Sequence, residues 1–328
     1  MEGLCRSSIG FSLLAAALLA TTAVPTFAAE RYPTKPIRLI VPFPPGGSTD
    51  FNARAIHDSL TQVLGEQVVI DNRAGASGQI GTRIAKGSTP DGYTLLLHTV
   101  AFVTGPMLYK NAGYDPLRDF RPVSFISKIP TAVSVHPSVP AKSVKELVAL
   151  AMSRPGVLNY ASAGIGTNAH ITGELFNLMG RTSIQAIHYK GGGPALAAVV
   201  GGEVQVGFSN ITNTARLAEA GRLRPLAVSS LKRSSAMPSL PTVSEAGLPG
   251  FEMVAWHIVV APAGTPDGLI KMLNQKVRAT FADPAVMKRF EVGGGELVSS
   301  SPAETLNYLR SEQIKWRRVI KERGIKAR

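Results

Sequence analysis

Three stretches of this sequence place glycines and hydroxyl residues where a strand gives way to a helix. They are residues 42–50 (PFPPGGSTD), 161–170 (ASAGIGTNAH) and 189–194 (YKGGGP). Glycine leaves backbone N–H groups uncovered, and the first turn of a helix has N–H groups with no intrahelical partner. The aligned peptide dipoles add partial positive charge, so such junctions favour anions. Ser48, Thr49, Ser162 and Thr167 supply hydroxyl donors around them. In open α/β sheets ligands bind beyond the carboxyl ends of the strands, where three such junctions can converge on one small anion. Pro44, Gly46, Gly47 and Asp50 in the first stretch, and Gly164, Gly166 and His170 in the second, are the accompanying candidates.

The same residues do not assemble into an enzyme. Ser162, His170 and Asp50 can be drawn as a triad, but His170 falls on the first turn of a helix, where it bonds a loop carbonyl more simply. There is no GxSxG elbow and no GxxxxGK[ST] phosphate loop. Gly164-Ile165-Gly166 follows a strand but lacks the third glycine of a dinucleotide fingerprint. The six histidines lack metal-ligand spacing, and no cofactor is implied. Some side chains keep two readings. Asp50 receives a polar group of the ligand, or it bonds loop N–H groups and complements its helix dipole. Lys190 meets a carboxylate, or it is a solvated lysine at a loop edge. Trp256 lines a cleft, or it fills the core of a central strand.

The elements that must position these stretches are legible from periodicity. Ile37–Val41 is a β-branched apolar run ended by Pro42, Pro44 and Pro45. Ser48 is a candidate N-cap, and Ala53, Ile56, Leu60, Val63 and Leu64 repeat at helical spacing. Short strands follow over 67–70 and 93–97, with a glycine-rich entry to a helix over 71–81 between them. This β-α-β-α-β order implies a parallel sheet with helices on both faces. Further strands are expected over 123–126, 131–135, 158–162, 184–189, 204–208, 224–229 and 253–261. Ser143 with Glu146, and Ser301 with Glu304, open helices as capping boxes, the second with Pro302 at the first helical position. A further helix begins at Pro266.

Composition bounds the rest. The 328 residues suffice for two domains, with 45% hydrophobic and 17% charged residues and a formal net charge of +13. The positive charges are scattered, and the one dense region, KWRRVIKERGIKAR, reads as a solvated helix face, so nucleic-acid binding is not expected. Arg6, the apolar run 9–23 and the small residues Thr26 and Ala28 make residues 1–28 a secretory signal peptide cut after Ala28. The single cysteine, Cys5, precedes the apolar run, so the mature chain has neither disulfides nor a thiol nucleophile. A soluble, exported protein is expected.

Taken together, the motifs resemble the Bug or TctC-like family, the extracytoplasmic solute-binding receptors of tripartite tricarboxylate transporters. The resemblance rests on YPTKPIRLIVPFPPGGSTD, DNRAGASGQIGTRIAKGSTPDGYTLLL, YDPLRDFRPVS, LNYASAGIGTNAH, HYKGGGPALAAVVGGEVQVGF and LPTVSEAGLPGF with WHIVVAPAGTP, in that order over nearly the whole mature chain. It implies a type II-like periplasmic-binding-protein fold: two α/β lobes, each with a central, mainly parallel sheet, around a cleft that closes on its ligand. Residues 29–127 plus 252–328 would form one lobe and 128–251 the other. It implies a small carboxylate held by residues 44–50 and 162–170, partly through ordered water. Thr99, the loop carrying Lys190, Gly191 and Gly192, and the pair Ser209 and Asn210 would be cleft walls. The partners implied are the membrane permease subunits, with a periplasmic sensor protein as the alternative, and the receptor is expected to be monomeric and to catalyse nothing. Two positions depart from the family pattern: Ser209 stands where aspartate is common, and His188 where proline is common.

Overall fold

The computed structural model describes residues 32–325, so the expected signal peptide lies outside the described residues. In chain order the elements are β1 (Ile37–Val41), α1 (Ser48–Leu64), β2 (Val68–Asn72), α2 (Gln79–Lys86), β3 (Thr94–His98), α3 (Ala101–Leu108) and β4 (Phe120–Val135). The second run is α4 (Val144–Ser153), β5 (Asn159–Ser162), α5 (Asn168–Gly180), β6 (Gln185–His188), α6 (Gly192–Val200), β7 (Val206–Asn210), α7 (Ile211–Glu219) and β8 (Arg224–Val228). The chain then returns through β9 (Val254–Pro262), α8 (Asp267–Ala279), α9 (Pro284–Val292), β10 (Glu296–Leu297) and α10 (Pro302–Glu322).

The strands lie in the order β2-β1-β3-β9-β4-β7-β5-β6, with β8 and β10 also paired to β4. Parallel pairs stand at the two ends of this path: β1 with β2 and β3, and β5 with β6 and β7. The centre is antiparallel, because β9 and β4 enter against their neighbours. Each parallel end is built from strand–helix–strand units whose helices cover the sheet. On α1, Ala53, Ile56, Leu60 and Leu64 share a core with Ile37, Leu39 and Val41 of β1. Burial of each of the larger of these side chains, the leucines, isoleucines and valine, stabilises by about 1.5–3 kcal/mol.

One strand joins the two ends. Instead of the two strands expected over 123–126 and 131–135, β4 runs unbroken through both. Its first part pairs with β9 as far as Pro130, opposite Val254. From Thr131 onward it pairs with β7 and β8. Lys128 and Pro130 made the run look interrupted. Proline cannot donate to a ladder, and Pro130 sits where β4 changes partners. The register shifts between Pro122 and Ser124 and between Phe125 and Ser127 bend the strand on the way.

Trp256 belongs to the core. It is fully buried on β9, and its indole donates to Glu312 Oε2 of α10 at 2.7 Å, an oxygen that also accepts from Trp316 at 2.8 Å. No helix among the described residues is long and apolar enough to cross a membrane.

Candidate functional site

Four helices begin at one cavity of about 150 Å³. Gly47, Ser48 and Thr49 bring the start of α1 to it, and Thr167, Asn168 and Ala169 the start of α5. Gly191, Gly192 and Gly193 bring α6, and Asn210 with Asn213 bring α7. Thr99 and the Ile129–Pro130–Thr131 stretch of β4 also line it. None of the lining residues is charged. Attraction for an anion here comes from uncovered amides, helix dipoles and neutral side-chain donors, not from a charged lining residue.

The local sequence explains the exposure of those amides. Gly47 is the N-cap of α1, in an extended conformation with no capping side chain. Ser48, expected as the cap, is instead the first helical residue, because the glycine before it already adopts the extended cap geometry. Gly191 also caps α6 without a side chain, but at φ +120, a value that L side chains rarely adopt. Asn210 does cap α7, its Oδ1 accepting from Thr212 N–H at 2.9 Å.

Two lining side chains carry buried polar atoms with no partner in the protein, Thr99 Oγ1 and Asn168 Oδ1. Burying such atoms unpaired costs about 1–3 kcal/mol each. Asn168 is held by its amide nitrogen, which donates to Thr131 Oγ1 at 3.2 Å, so its oxygen is oriented as an acceptor. Thr99 is fixed from behind by His98. His98 Nδ1 accepts from Thr99 N–H at 2.8 Å, which leaves the ring proton on Nε2, 3.0 Å from Thr82 Oγ1. Complete burial pushes the His98 imidazole down to about 3, against a lesser upward pull from the Thr99 carbonyl oxygen, 3.2 Å from Nδ1, which would accept from a protonated ring. His98 therefore stays neutral at ordinary pH. Its ring also packs edge-on against Phe43 of the loop before α1.

The sequence candidates divide into two groups. Pro44, Gly46, Gly47, Ser48, Thr49, Thr99, Thr167, Gly191, Gly192, Ser209 and Asn210 all line the cavity. Asp50, Ser162, Gly164, Gly166, His170 and Lys190 do not line it. Asp50 ties the first loop to its own surroundings: Oδ2 accepts from Gly46 N–H at 3.0 Å and Arg54 Nε at 2.9 Å, and Oδ1 from Asn72 Nδ2 at 3.1 Å. Burial opposes its charge, but these donors together hold its carboxyl below the usual range. Its far side borders an open groove of about 1070 Å³ that continues from the cavity past Arg54, Arg216 and Arg289. Ser162 is spent inside the second loop, donating to Gly164 O at 2.9 Å and accepting from Gly164 N–H at 3.1 Å. His170 Nδ1 accepts from Gly166 N–H at 3.0 Å, which is also why no triad forms. Lys190 is solvent-exposed.

Asn168, Thr131 and Asn213 line the cavity without having been singled out. Asn168 lies inside the 161–170 stretch, but asparagine at a helix start reads as local capping. Thr131 gave no signal beyond its place on a strand.

The fold and this amide-lined cavity define an α/β binding protein of the periplasmic type. The profile described as tripartite tricarboxylate transporter family receptor matches residues 52–325, and the chain belongs to that family. It is 38% identical over 300 residues to Protein BugT of Bordetella pertussis, covering 91% of this chain and 92% of that protein. Among solved structures it is similar to R. palustris Rpa4515 with adipate (37% identity, TM-score 0.86, 90% of this chain and 100% of that one). It is also similar to the periplasmic binding protein BugD (34% identity, TM-score 0.85, 90% of this chain and 100% of that one).

Proposed function

We propose that this protein is a periplasmic receptor that captures a small organic carboxylate and delivers it to the membrane subunits of a tripartite tricarboxylate transporter. The observation that carries this reading is the convergence of four helix N-termini on a cavity lined by no charged side chain. Amides and dipoles suit a carboxylate, and the adipate held by a relative of 37% identity supports the same chemistry. Thr99 Oγ1 and Asn168 Oδ1 suit a ligand that brings its own hydroxyls, or water that bridges to it. In this reading the two ends of the sheet are the two lobes, residues 29–127 plus 252–328 and residues 128–251. They hinge where β4 changes partners and where the chain re-enters β9. Residues 1–28 direct export and are removed.

A thermal-shift panel of mono- and dicarboxylates, neutral sugars and amino acids tests this. A carboxylate at about 100-fold its Kd is expected to add about 2.7 kcal/mol of stability. Shifts with sugars and none with any carboxylate would overturn the reading.

A further inference from the structure

We infer that Thr104, which touches no part of the cavity, is a positioning residue for ligand capture, fastening the second anion-binding loop across to the first half of the molecule. The inference rests on the two-lobe reading above. Thr104 lies on α3, in the first half, and is fully buried. Its hydroxyl donates to the carbonyl of Gly166 at 2.7 Å, and Gly166 belongs to the β5–α5 loop of the second half. That carbonyl sits on the peptide joining Gly166 to Thr167, the N-cap of α5. Fixing it fixes where α5 begins, and with it Thr167, Asn168 and Ala169 at the cavity wall.

The hydroxyl has a second acceptor. Val100 O, four residues back on α3, lies 3.2 Å away. Threonine readily bonds the carbonyl one turn earlier in its own helix. When the halves part, the proton turns to Val100, so opening strands no buried donor. Thr104 is thus satisfied in both states but holds the loop in only one. That is the property required of a reversible fastening.

The approach is close enough to require glycine. A Cβ on Gly166, at φ +76, would lie 2.9 Å from Thr104 Oγ1 and 3.2 Å from Leu108 Cδ1. A Cβ on Gly164, at φ +130, would lie 2.4 Å from Ser77 Oγ, also in the first half. Ser77 is held there by Tyr109, their hydroxyls 2.8 Å apart, and takes a left-handed φ of 54. The two glycines therefore form the meeting surface of the halves, which explains why neither lines the cavity.

The experiment compares wild type, Thr104→Val and Thr104→Ser by hydrogen–deuterium exchange without ligand, and by calorimetric and stopped-flow titration with adipate as probe. Thr104→Val keeps the branched shape but replaces the donor with a methyl group, which cannot sit 2.7 Å from the Gly166 carbonyl, so it both removes the bond and pushes the loop back. Losing one net hydrogen bond corresponds to about a fivefold change. Exchange of residues 164–169 is expected to rise about fivefold, exchange of residues 42–50 to stay unchanged, and Thr104→Ser to restore wild-type behaviour. Adipate is expected to bind Thr104→Val about fivefold more weakly, through faster dissociation. Wild-type exchange at residues 164–169 in Thr104→Val would overturn the inference, as would a rise spread equally over both loops. Failure of every carboxylate to bind wild type would overturn the proposed function, while the exchange data still decide the role of Thr104.

Discussion

The loop before α1 and the loop before α5 look alike in sequence and are held in opposite ways. The first is fastened within its own half: Asp50 takes hydrogen bonds from Gly46, Arg54 and Asn72, and Phe43 rests on the His98 ring. Its glycines stay open, with nothing within 4 Å of a Cβ built on Gly46. The second loop closes on itself through Ser162 and Thr167, and is then pinned across the molecule by Thr104. Its glycines face protein. Two similar stretches thus divide the work: one is tied to its neighbours in sequence, the other to α3 across the molecule, and under the proposed closure its position would depend on whether the halves meet.

The sharpest way to break this contrast is to add one methyl group to each loop. Gly164→Ala is expected to have the largest effect, because it meets Ser77 Oγ at 2.4 Å in a backbone conformation that alanine resists. Strain of that kind costs about 1–3 kcal/mol before the clash is counted. Affinity for adipate should fall by at least about tenfold, read by calorimetry, with the protein still folded by circular dichroism. Wild-type affinity in Gly164→Ala would remove the distinction between the loops.

Acid should strain the first loop next. The folded pKa of His98 is lowered to about 3 from the ordinary 6.5, so below pH 6.5 the unfolded chain binds a proton that the folded chain refuses. Stability is complete above pH 6.5 and falls as pH drops from there towards 3, by about 1.4 kcal/mol per unit for this residue. His257, fully buried on β9 and likewise lowered to about 3 by burial, adds a loss of the same sign. Denaturant titrations at pH 7.5, 6 and 4.5 are expected to show midpoints that change little between pH 7.5 and 6 and fall steeply between 6 and 4.5. A flat profile would mean that neither imidazole is buried neutral. The smallest effect belongs to Gly46→Ala, where only the φ of +83 is penalised, at about 1–2 kcal/mol. It should lower the melting temperature by a few degrees and weaken adipate binding less than Gly164→Ala does, read by the same calorimetry.

Much of the frame could be read from residue order. β1 and the C-terminal helix with its Ser301–Glu304 capping box stand where periodicity and capping put them. Most cavity-lining glycines were found because helix starts after strands are a local pattern. What escaped was non-local. Whether Gly164 faces a ligand or Ser77 depends on a contact between residues 87 positions apart. α3 hid its role further, since Gly105 and Pro106 break the helical pattern of the segment that carries Thr104. The Ser143–Glu146 pair shows the same limit at short range. Ser143 caps Glu146 N–H, but the glutamate reaches back to Lys142 N–H instead of completing the box.

The unbroken β4 has a consequence for how such chains can change. Side chains alternate faces along a strand, so adding or removing one residue turns over everything beyond it. Because β4 serves β9 at one end and β7 and β8 at the other, an insertion that no bulge absorbs would rotate one half's cavity wall away from the other's; the two register shifts before Ser127 show where the strand already holds an extra residue. Surface loops of this protein away from the cavity tolerate added length at small entropic cost. This strand is its ruler, and the distance from Phe120 to Val135 is the dimension against which both halves are measured.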